Sequence, residues 1–542
     1  MPAYRPTIPA LGLTLATAIY LLAITNRTFW SKALAYFDGH GLQLAGFALV
    51  LLLLHIAVLA IFSGKRLQKP VAIACILIAA ASSYFVDRFG VILDRRMFVN
   101  IVETTQTEAG QLLTPALVLH MLLYGVLPAA VVMWIRIAPR PRGAAFRQAA
   151  FTSISAFLVA LAIVSSQASF YIPMWRLERT AMMSTLVPAT PVVGAISYGV
   201  REYRLRNIVM KPLGTDARTG PSIAKADRKV LTVLVVGETA RAQNFSLLGY
   251  ARDTNPELAA RDVIAFSNVS SCGTATAVSL PCMFSHFGRA GYSDLKSLGS
   301  ENLVDVLAHA GLQVEWWDNN SGSKKTAARI KEVDFYKVKD DRFCQPEGGD
   351  CNDDILINRL KTHLDDFTGN GVLVLHTGGS HGPAYYLRYP ADFARFKPDC
   401  QTAQISDCSS EELVNAYDNS ILFTDHMLAE VIDLLESRQD KYASAMIYVS
   451  DHGESLGEDG IYLHGAPYAL APSQQTHIPM IAWFSQDFAR INRLDTVCIA
   501  GKSGAELSHD NLFSSVLGMM DVSTTAYQPS LDAFAPCRTP DS

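Results

Sequence analysis

Three polar segments carry the residue types that phosphate-ester chemistry needs. One hydrophobic strand ends in Gly237-Glu238-Thr239-Ala240-Arg241, and a second, far downstream, ends in Asp451-His452-Gly453. Between them lies Cys272-Gly273-Thr274-Ala275-Thr276-Ala277, a turn that enters a predicted helix. Two carboxylates and an imidazole can hold a zinc ion, and a threonine hydroxyl bound to such an ion can become an alkoxide nucleophile. The segments therefore predict chemistry on a phosphate ester.

Each of these residues also has a purely structural explanation. Glu238 could stabilise a helix dipole, Asp451 and His452 could form a local turn, and Thr274 or Thr276 could cap a helix. Together the acids and the histidine form a ligand set that suits zinc. Spacing alone does not choose between Thr274 and Thr276.

Strands alternate with helices in the part of the chain that carries these segments. We predict strands at Val230–Val236, Val263–Val269, Val314–Trp317, Val372–His376, Ala445–Ser450 and Pro479–Trp483, with helices at Asn302–Ala310, Ile355–Asp366, Leu413–Ser437 and Asn511–Met520. Continuous apolar strands separated by helices indicate an α/β domain with a mostly parallel sheet. Ligands of such sheets bind beyond the carboxyl ends of the strands, where Glu238 and Asp451-His452 lie.

The N-terminal part of the chain predicts an α-helical membrane domain. Apolar stretches near 9–29, 41–63, 71–91, 113–135 and 149–171 are each long enough to cross a bilayer. Lys and Arg number eight in the N-terminal segment and the second and fourth connections, against five in the first and third. The positive-inside rule then places the N-terminus in the cytoplasm, and five spans place the rest of the chain on the far side.

Cysteine usage indicates an oxidising compartment for the C-terminal part. Of nine cysteines, only Cys75 lies in a predicted span. The others fall in neighbouring pairs, which suggests disulfides 272–282, 344–351 and 400–408, with 498–537 as the remaining pair; the eight residues are Cys272, Cys282, Cys344, Cys351, Cys400, Cys408, Cys498 and Cys537. A bacterial periplasm agrees with both the cysteines and the membrane orientation.

We expect a five-helix transmembrane domain over 1–171, a bridging helix and linker over 172–228, and a periplasmic catalytic domain over 229–542. The formal net charge is -4 and the C-terminal domain has no basic run, which argues against a nucleic-acid partner.

The chain resembles the lipid A phosphoethanolamine transferases of Gram-negative bacteria, a family that includes the mobile colistin-resistance enzymes and belongs to the alkaline phosphatase/sulfatase superfamily. The resemblance covers nearly the whole length. It rests on Val-Gly-Glu-Thr-Ala-Arg at 236–241, Cys-Gly-Thr-Ala-Thr-Ala at 272–277, Asp-Asn-Asn-Ser-Gly-Ser-Lys at 318–324, Ser-His-Gly-Pro-Ala-Tyr-Tyr at 380–386 and Ser-Asp-His-Gly-Glu-Ser at 450–455.

The resemblance implies a role for each matching residue. Thr276 is the implied nucleophile, and the implied ligands of the catalytic zinc are Glu238, Thr276, Asp451 and His452. Further residues would hold the phosphate or a second zinc, and these are Asn320, Lys324, His381 and His464. Asn100, Thr104 and Glu108 recur at spacing four, which would place them on one helix face. That face is either solvated or, as the resemblance suggests, in contact with the head group of the lipid donor.

The implied reaction is transfer of phosphoethanolamine from phosphatidylethanolamine to a lipid A phosphate, through a covalent intermediate on Thr276. It would give resistance to cationic peptides such as polymyxin, and we expect a monomer in the bacterial inner membrane. Alternatives are transfer to a core sugar of lipopolysaccharide, and phosphoglycerol transfer as in lipoteichoic acid synthase. A sulfatase is excluded because Cys272 is not followed by the x-Pro-x-Arg pattern that matures to formylglycine. A non-catalytic membrane sensor is the remaining option.

Overall fold

The computed structural model describes residues 5–104, 106–338, 340–344 and 351–539. The chain forms two compact units, one of Met1–Phe98 and Leu113–Tyr198, the other of Val99–Leu112 and Gly199–Ser542. The domain limits expected at residues 171 and 228 remain predictions, because these units divide the chain by packing alone.

Long apolar helices build the first unit. Among the described residues, four helices are long and apolar enough to cross a membrane, namely Gly41–Ile61, Gln68–Phe89, Pro115–Trp134 and Arg142–Ser166. Ala10–Ile24 and Arg27–Tyr36 add a fifth span if the pair, bent by 71°, crosses as one. The predicted span at 9–29 is therefore a broken helix, while the other four predicted spans each overlap one long helix. The last of these helices, Arg142–Ser166, lies several residues before the predicted 149–171. Large apolar side chains such as Leu158 and Val131 are exposed, as lipid-facing residues are.

Further helices flank these spans. Arg95–Glu103 and Gln106–Leu112 follow the second long apolar helix, and Ala168–Met183 and Ala189–Arg206 follow the last. Within Pro115–Trp134, the turn Leu122–Val126 is π-helical, and the Tyr20 hydroxyl donates to the carbonyl oxygen of Tyr124 at 2.6 Å. A bond from outside the helix thus stabilises a turn whose backbone pattern is wider than usual.

An eight-stranded sheet forms the centre of the second unit. In chain order its strands are β1 (Lys229–Gly237), β2 (Ile264–Ser270), β3 (Gln313–Asp318), β4 (Lys331–Asp334), β5 (Gly371–His376), β6 (Tyr442–Ser450), β7 (His477–Phe484) and β8 (Leu507–Ser508). Their spatial order is β8-β2-β7-β6-β1-β5-β3-β4. Within this sheet, as far as the structure describes it, only β7 pairs antiparallel, with β2 and β6. The sheet is therefore mostly parallel, as the apolar strands predicted.

Helices cover the sheet, the principal ones being Thr276–Met283, Leu303–His309, Asp354–Asp366, Ser410–Glu436 and Leu512–Met519. The longest begins at a capping box, in which the Ser409 hydroxyl accepts from the Glu412 amide and the Glu412 carboxylate accepts from the Ser409 amide. Such a box satisfies amide groups that the first helical turn leaves unpaired. Central strands such as β1 and β6 are buried along almost their whole length, which explains their continuous apolar sequences.

The register of the parallel strands aligns their carboxyl ends. Gly237 of β1 lies opposite Ser450 of β6, while Val236 lies opposite His376 of β5. Asp318 of β3 also lies opposite His376. The residues that come directly after these four strands consequently share one edge of the sheet.

Four disulfides join the eight cysteines of the second unit. The pairs are Cys272–Cys282, Cys344–Cys351, Cys400–Cys408 and Cys498–Cys537. The first pair ties the turn before the Thr276 helix (Thr276–Met283) to the end of that helix, and so restricts the segment that carries both candidate threonines.

Candidate active site

The aligned strand ends bring together the acids and the histidine singled out in the sequence. Glu238 follows β1, Asp451 and His452 follow β6, and all three side chains are fully buried. The Thr239 amide donates to Asp451 Oδ1 at 3.1 Å, which links the two strand ends. One potential ligand atom from each of the three residues lies within 4.8 Å of the others. The group is therefore compact enough to hold one metal ion.

The Thr276 helix directs a hydroxyl at this group. Thr276 Oγ1 donates to Glu238 Oε2 at 3.0 Å and lies 3.3 Å from His452 Nε2. Thr274 Oγ1 instead donates to the carbonyl oxygen of Ala466 at 2.6 Å. Of the two threonines that the sequence left open, Thr276 is thus the one beside the acids, while Thr274 anchors the segment that follows His464.

Burial and close charges shift the pKa values of this group in directions that suit a bound cation. Burial and the charge of Glu238 raise the pKa of Asp451 well above its usual range, and burial, helped by His464, lowers the pKa of His452 to about 3. Burial alone would raise the pKa of Glu238, but the surrounding histidines outweigh it and lower that pKa. Asp451 Oδ2 is buried and accepts no hydrogen bond from any described residue. Two close carboxylates, a neutral imidazole and an unpartnered oxygen fit a divalent metal.

Asn320 and Lys324 follow β3 and approach the same site. The Asn320 amide donates to Glu238 Oε2 at 2.7 Å and to the Thr377 carbonyl oxygen at 2.8 Å. In this arrangement Asn320 orients Glu238, because both amide protons are used. Lys324 Nζ donates to Ser321, at 2.9 Å to both its carbonyl oxygen and its hydroxyl.

Two further histidines lie beside His452. The ring centre of His464 is 4.5 Å from that of His452 and 5.3 Å from that of His381. His464 Nδ1 bonds Glu454 Oε2 at 2.9 Å. Burial opposes the charged form of His464, but the Glu454 carboxylate outweighs it and raises the pKa of His464 to about 9. Glu454 was not among the predicted site residues, although it stands in the Asp-His-Gly-Glu motif.

A pocket opens on this cluster. Its lining includes Thr276, Lys324, His381 and His464, together with Asn100 and Thr104 from the segment Val99–Leu112 of the same unit. The side chain of Glu108 lies outside the described part of the structure. The pocket thus joins the proposed nucleophile to two of the three residues that were expected to meet a head group.

His509 joins the two halves of the site from behind. Its Nδ1 accepts from the Cys272 amide at 2.9 Å, and its Nε2 donates to the Ser450 carbonyl oxygen at 2.9 Å. The first bond holds the loop before Thr276, and the second holds the strand end before Asp451. No local sequence signal identifies His509, because its role depends on contacts more than fifty residues away in the chain.

Two family models match parts of this chain. Residues 51–203 match the model of the phosphoethanolamine transferase EptA/EptB family, and residues 231–522 match that of the sulfatase family. Phosphoethanolamine transferase EptA of Salmonella typhimurium is 39% identical over 541 residues, which cover 98% of both chains. The chain belongs to the EptA family of phosphoethanolamine transferases. The family, the enzyme class and the fold class predicted from sequence are thereby confirmed.

Two further relatives of this EptA-family chain are an integral membrane protein and a second transferase. The integral membrane protein lipooligosaccharide phosphoethanolamine transferase A (EptA) from Neisseria meningitidis superposes with a TM-score of 0.94 at 36% identity, covering 99% of this chain and 100% of the other. Phosphatidylethanolamine transferase Mcr-1 of Escherichia coli is 34% identical over 535 residues, 96% of both chains. This EptA-family protein is therefore a membrane enzyme with a soluble C-terminal domain.

Proposed function

We propose that this enzyme transfers phosphoethanolamine from phosphatidylethanolamine to a phosphate of lipid A, with Thr276 as nucleophile and with zinc. The observation that carries the proposal is the position of Thr276 Oγ1, 3.0 Å from Glu238 Oε2 and 3.3 Å from His452 Nε2. A weak nucleophile is useful only where its proton can be removed and its charge stabilised, and this hydroxyl has both acceptors at hand.

Glu238, Thr276, Asp451 and His452 would hold the zinc ion. Carboxylate oxygens and an imidazole nitrogen are ligands that zinc accepts, and the unpartnered Asp451 Oδ2 gives a further reason for a cation there. When bound, zinc would lower the pKa of the threonine hydroxyl and stabilise charge on the phosphoryl group. His381 and His464 would serve either the phosphate or a second zinc.

The transfer proceeds in two displacement steps at phosphorus. Thr276 Oγ1 gives its proton to Glu238 or His452 and attacks the phosphorus of the donor. The bond from phosphorus to the diacylglycerol oxygen breaks, and His381 or His464 supplies the proton that this oxygen needs. Lys324 neutralises charge on the phosphoryl oxygens while Asn320 keeps Glu238 oriented. A phosphate oxygen of lipid A then attacks the phosphorus and releases Thr276.

The modified lipid should change how the membrane surface binds cationic peptides. Adding an ammonium group to an anionic lipid reduces the negative charge of the membrane surface, which weakens binding of cationic peptides such as polymyxin. We also place the enzyme in the bacterial inner membrane as a monomer, with 1–171 spanning it, 172–228 as a bridge and 229–542 in the periplasm. The disulfides support an oxidising compartment for the last part.

Mass spectrometry of lipid A from expressing cells tests the proposal. Wild type and Thr276→Ser should add a phosphoethanolamine mass to lipid A, the serine variant more slowly, and Thr276→Ala should add none. Thr274→Ala is the matched control for loss of a threonine hydroxyl in the same turn; because Thr274 bonds the Ala466 backbone and not the acids, it should retain more activity than Thr276→Ala. An increment on a core sugar would move the acceptor, a phosphoglycerol increment would change the donor, and activity in Thr276→Ala would remove the nucleophile.

A further inference from the structure

The pocket beside Thr276 contains an acidic side chain to which no role has yet been given. Glu103 is the last residue of the helix Arg95–Glu103, and its carboxylate lines the pocket together with Thr276 and Lys324. Among the described residues that line the pocket, Glu103 supplies the single carboxylate. The cavity volume is ≈ 40 Å³, and the pocket is partly open to solvent.

Glu103 pairs with the lysine that faces the nucleophile. Lys324 Nζ lies 3.2 Å from Glu103 Oε2, and the Lys324 side chain is only 7% exposed, whereas that of Glu103 is 37% exposed. Ser321 holds the lysine independently through its carbonyl oxygen and hydroxyl, each at 2.9 Å. Lys324 can therefore keep its place if Glu103 turns to another cation.

A phosphoethanolamine head group is itself a short zwitterion, with an anionic phosphate and an ammonium two carbons beyond the ester oxygen. It is complementary to the pair formed by Lys324, which is held near Thr276, and Glu103, which is more exposed. We propose that Glu103 binds the ammonium of the donor head group while Lys324 binds its phosphate, so that Glu103 determines the preference for ethanolamine. This inference rests on the proposed function of the same pocket.

The charges also act against other head groups. A glycerol head group or a bare phosphate brings no cation. Its phosphate would pair with Lys324 and so leave the Glu103 carboxylate beside it without a partner. An unpaired carboxylate next to an anion is unfavourable, particularly where the surroundings are partly desolvated. The ammonium donor instead exchanges one ion pair for two.

Equilibrium binding to the full-length protein in detergent tests the inference. The probes are dihexanoyl phosphatidylethanolamine and dihexanoyl phosphatidyl-n-propanol, in which a methyl group replaces the ammonium. Titration calorimetry would compare Thr276→Ala with Thr276→Ala/Glu103→Gln, since the first substitution prevents turnover. Glu506→Gln, which neutralises an exposed carboxylate elsewhere in the same unit, is the matched control.

We expect Glu103→Gln to weaken binding of the ethanolamine lipid about tenfold, the effect of one charge-assisted hydrogen bond. Binding of the propanol lipid should stay the same or strengthen, because the substitution removes the carboxylate that its phosphate would otherwise leave unpaired. Glu506→Gln should change neither. If the substitution weakened binding of both lipids equally, Glu103 would serve only to position Lys324, and the inference would be wrong. Equal affinity of the two lipids for the protein that retains Glu103 would also overturn it. Release of diacylglycerol by wild type but not by Thr276→Ala, measured separately, tests the transfer itself.

Discussion

Acid should destabilise this enzyme through His509, and the effect can be isolated. Burial lowers the pKa of His509 from 6.5 to about 4, so protonation is about 3 kcal/mol harder in the folded protein than in the unfolded chain. Above about pH 6.5 the ring is neutral in both states. As the pH falls towards 4, the unfolded chain takes up a proton that the folded protein does not, and the free energy of unfolding decreases.

His509→Asn removes this titration while keeping one of the two bonds. The asparagine Oδ1 can still accept from the Cys272 amide, but the Ser450 carbonyl oxygen loses its donor. At pH 7.5 we therefore expect the variant to be less stable by about 1–3 kcal/mol, the cost of one buried group left unpaired. The variant pays no protonation penalty, so the difference should shrink by about 2–3 kcal/mol on going to pH 4.5.

Thermal unfolding of the full-length protein in detergent, followed by tryptophan fluorescence at pH 7.5, 6, 5 and 4.5, measures this difference. Trp316 and Trp317 are buried in the second unit and report on its unfolding. His509→Gln is the complementary variant, because its Nε2 can still donate to the Ser450 carbonyl oxygen while the Cys272 amide loses its acceptor. A gap between wild type and His509→Asn that stays the same at every pH would refute the reasoning.

Three other outcomes are expected. Asn320→Asp places a second carboxylate where an amide now donates to Glu238 at 2.7 Å, so lipid A modification should fall at least tenfold, and full activity would contradict the orienting role. Gly453→Ala should unfold at a lower temperature, since its Cβ would lie 2.1 Å from the Gln474 carbonyl oxygen; an unchanged midpoint would show that the loop can move. Treatment with a chelator should abolish transfer and lower the unfolding midpoint, and added zinc should restore both. Elemental analysis gives the metal content. Chelation without any effect would argue against a metal.

The sequence determined much of the fold because its periodicities are local. Long apolar stretches indicated membrane helices, and continuous apolar strands indicated a buried parallel sheet. The first span is the exception, because the polar run Thr25-Asn26-Arg27 lies at the break between Ala10–Ile24 and Arg27–Tyr36 and a hydropathy average over the whole stretch does not register it. The carboxyl ends of β1 and β6 were recognisable as the edge for a site, since parallel strands share that edge.

Spacing did not choose between Thr274 and Thr276; the family resemblance implied Thr276, and the tertiary structure shows that its hydroxyl is the one beside Glu238. Two hydroxyls two residues apart in one turn look equivalent in sequence. Thr274 bonds Ala466 and Thr276 bonds Glu238, and both partners come from distant parts of the chain. His509 and Glu103 were missed for the same reason: a bridging histidine and a carboxylate paired with Lys324 acquire their meaning only when remote segments pack together. Residue type and local pattern decide which chemistry a chain can perform, while packing decides which atoms are close enough to perform it.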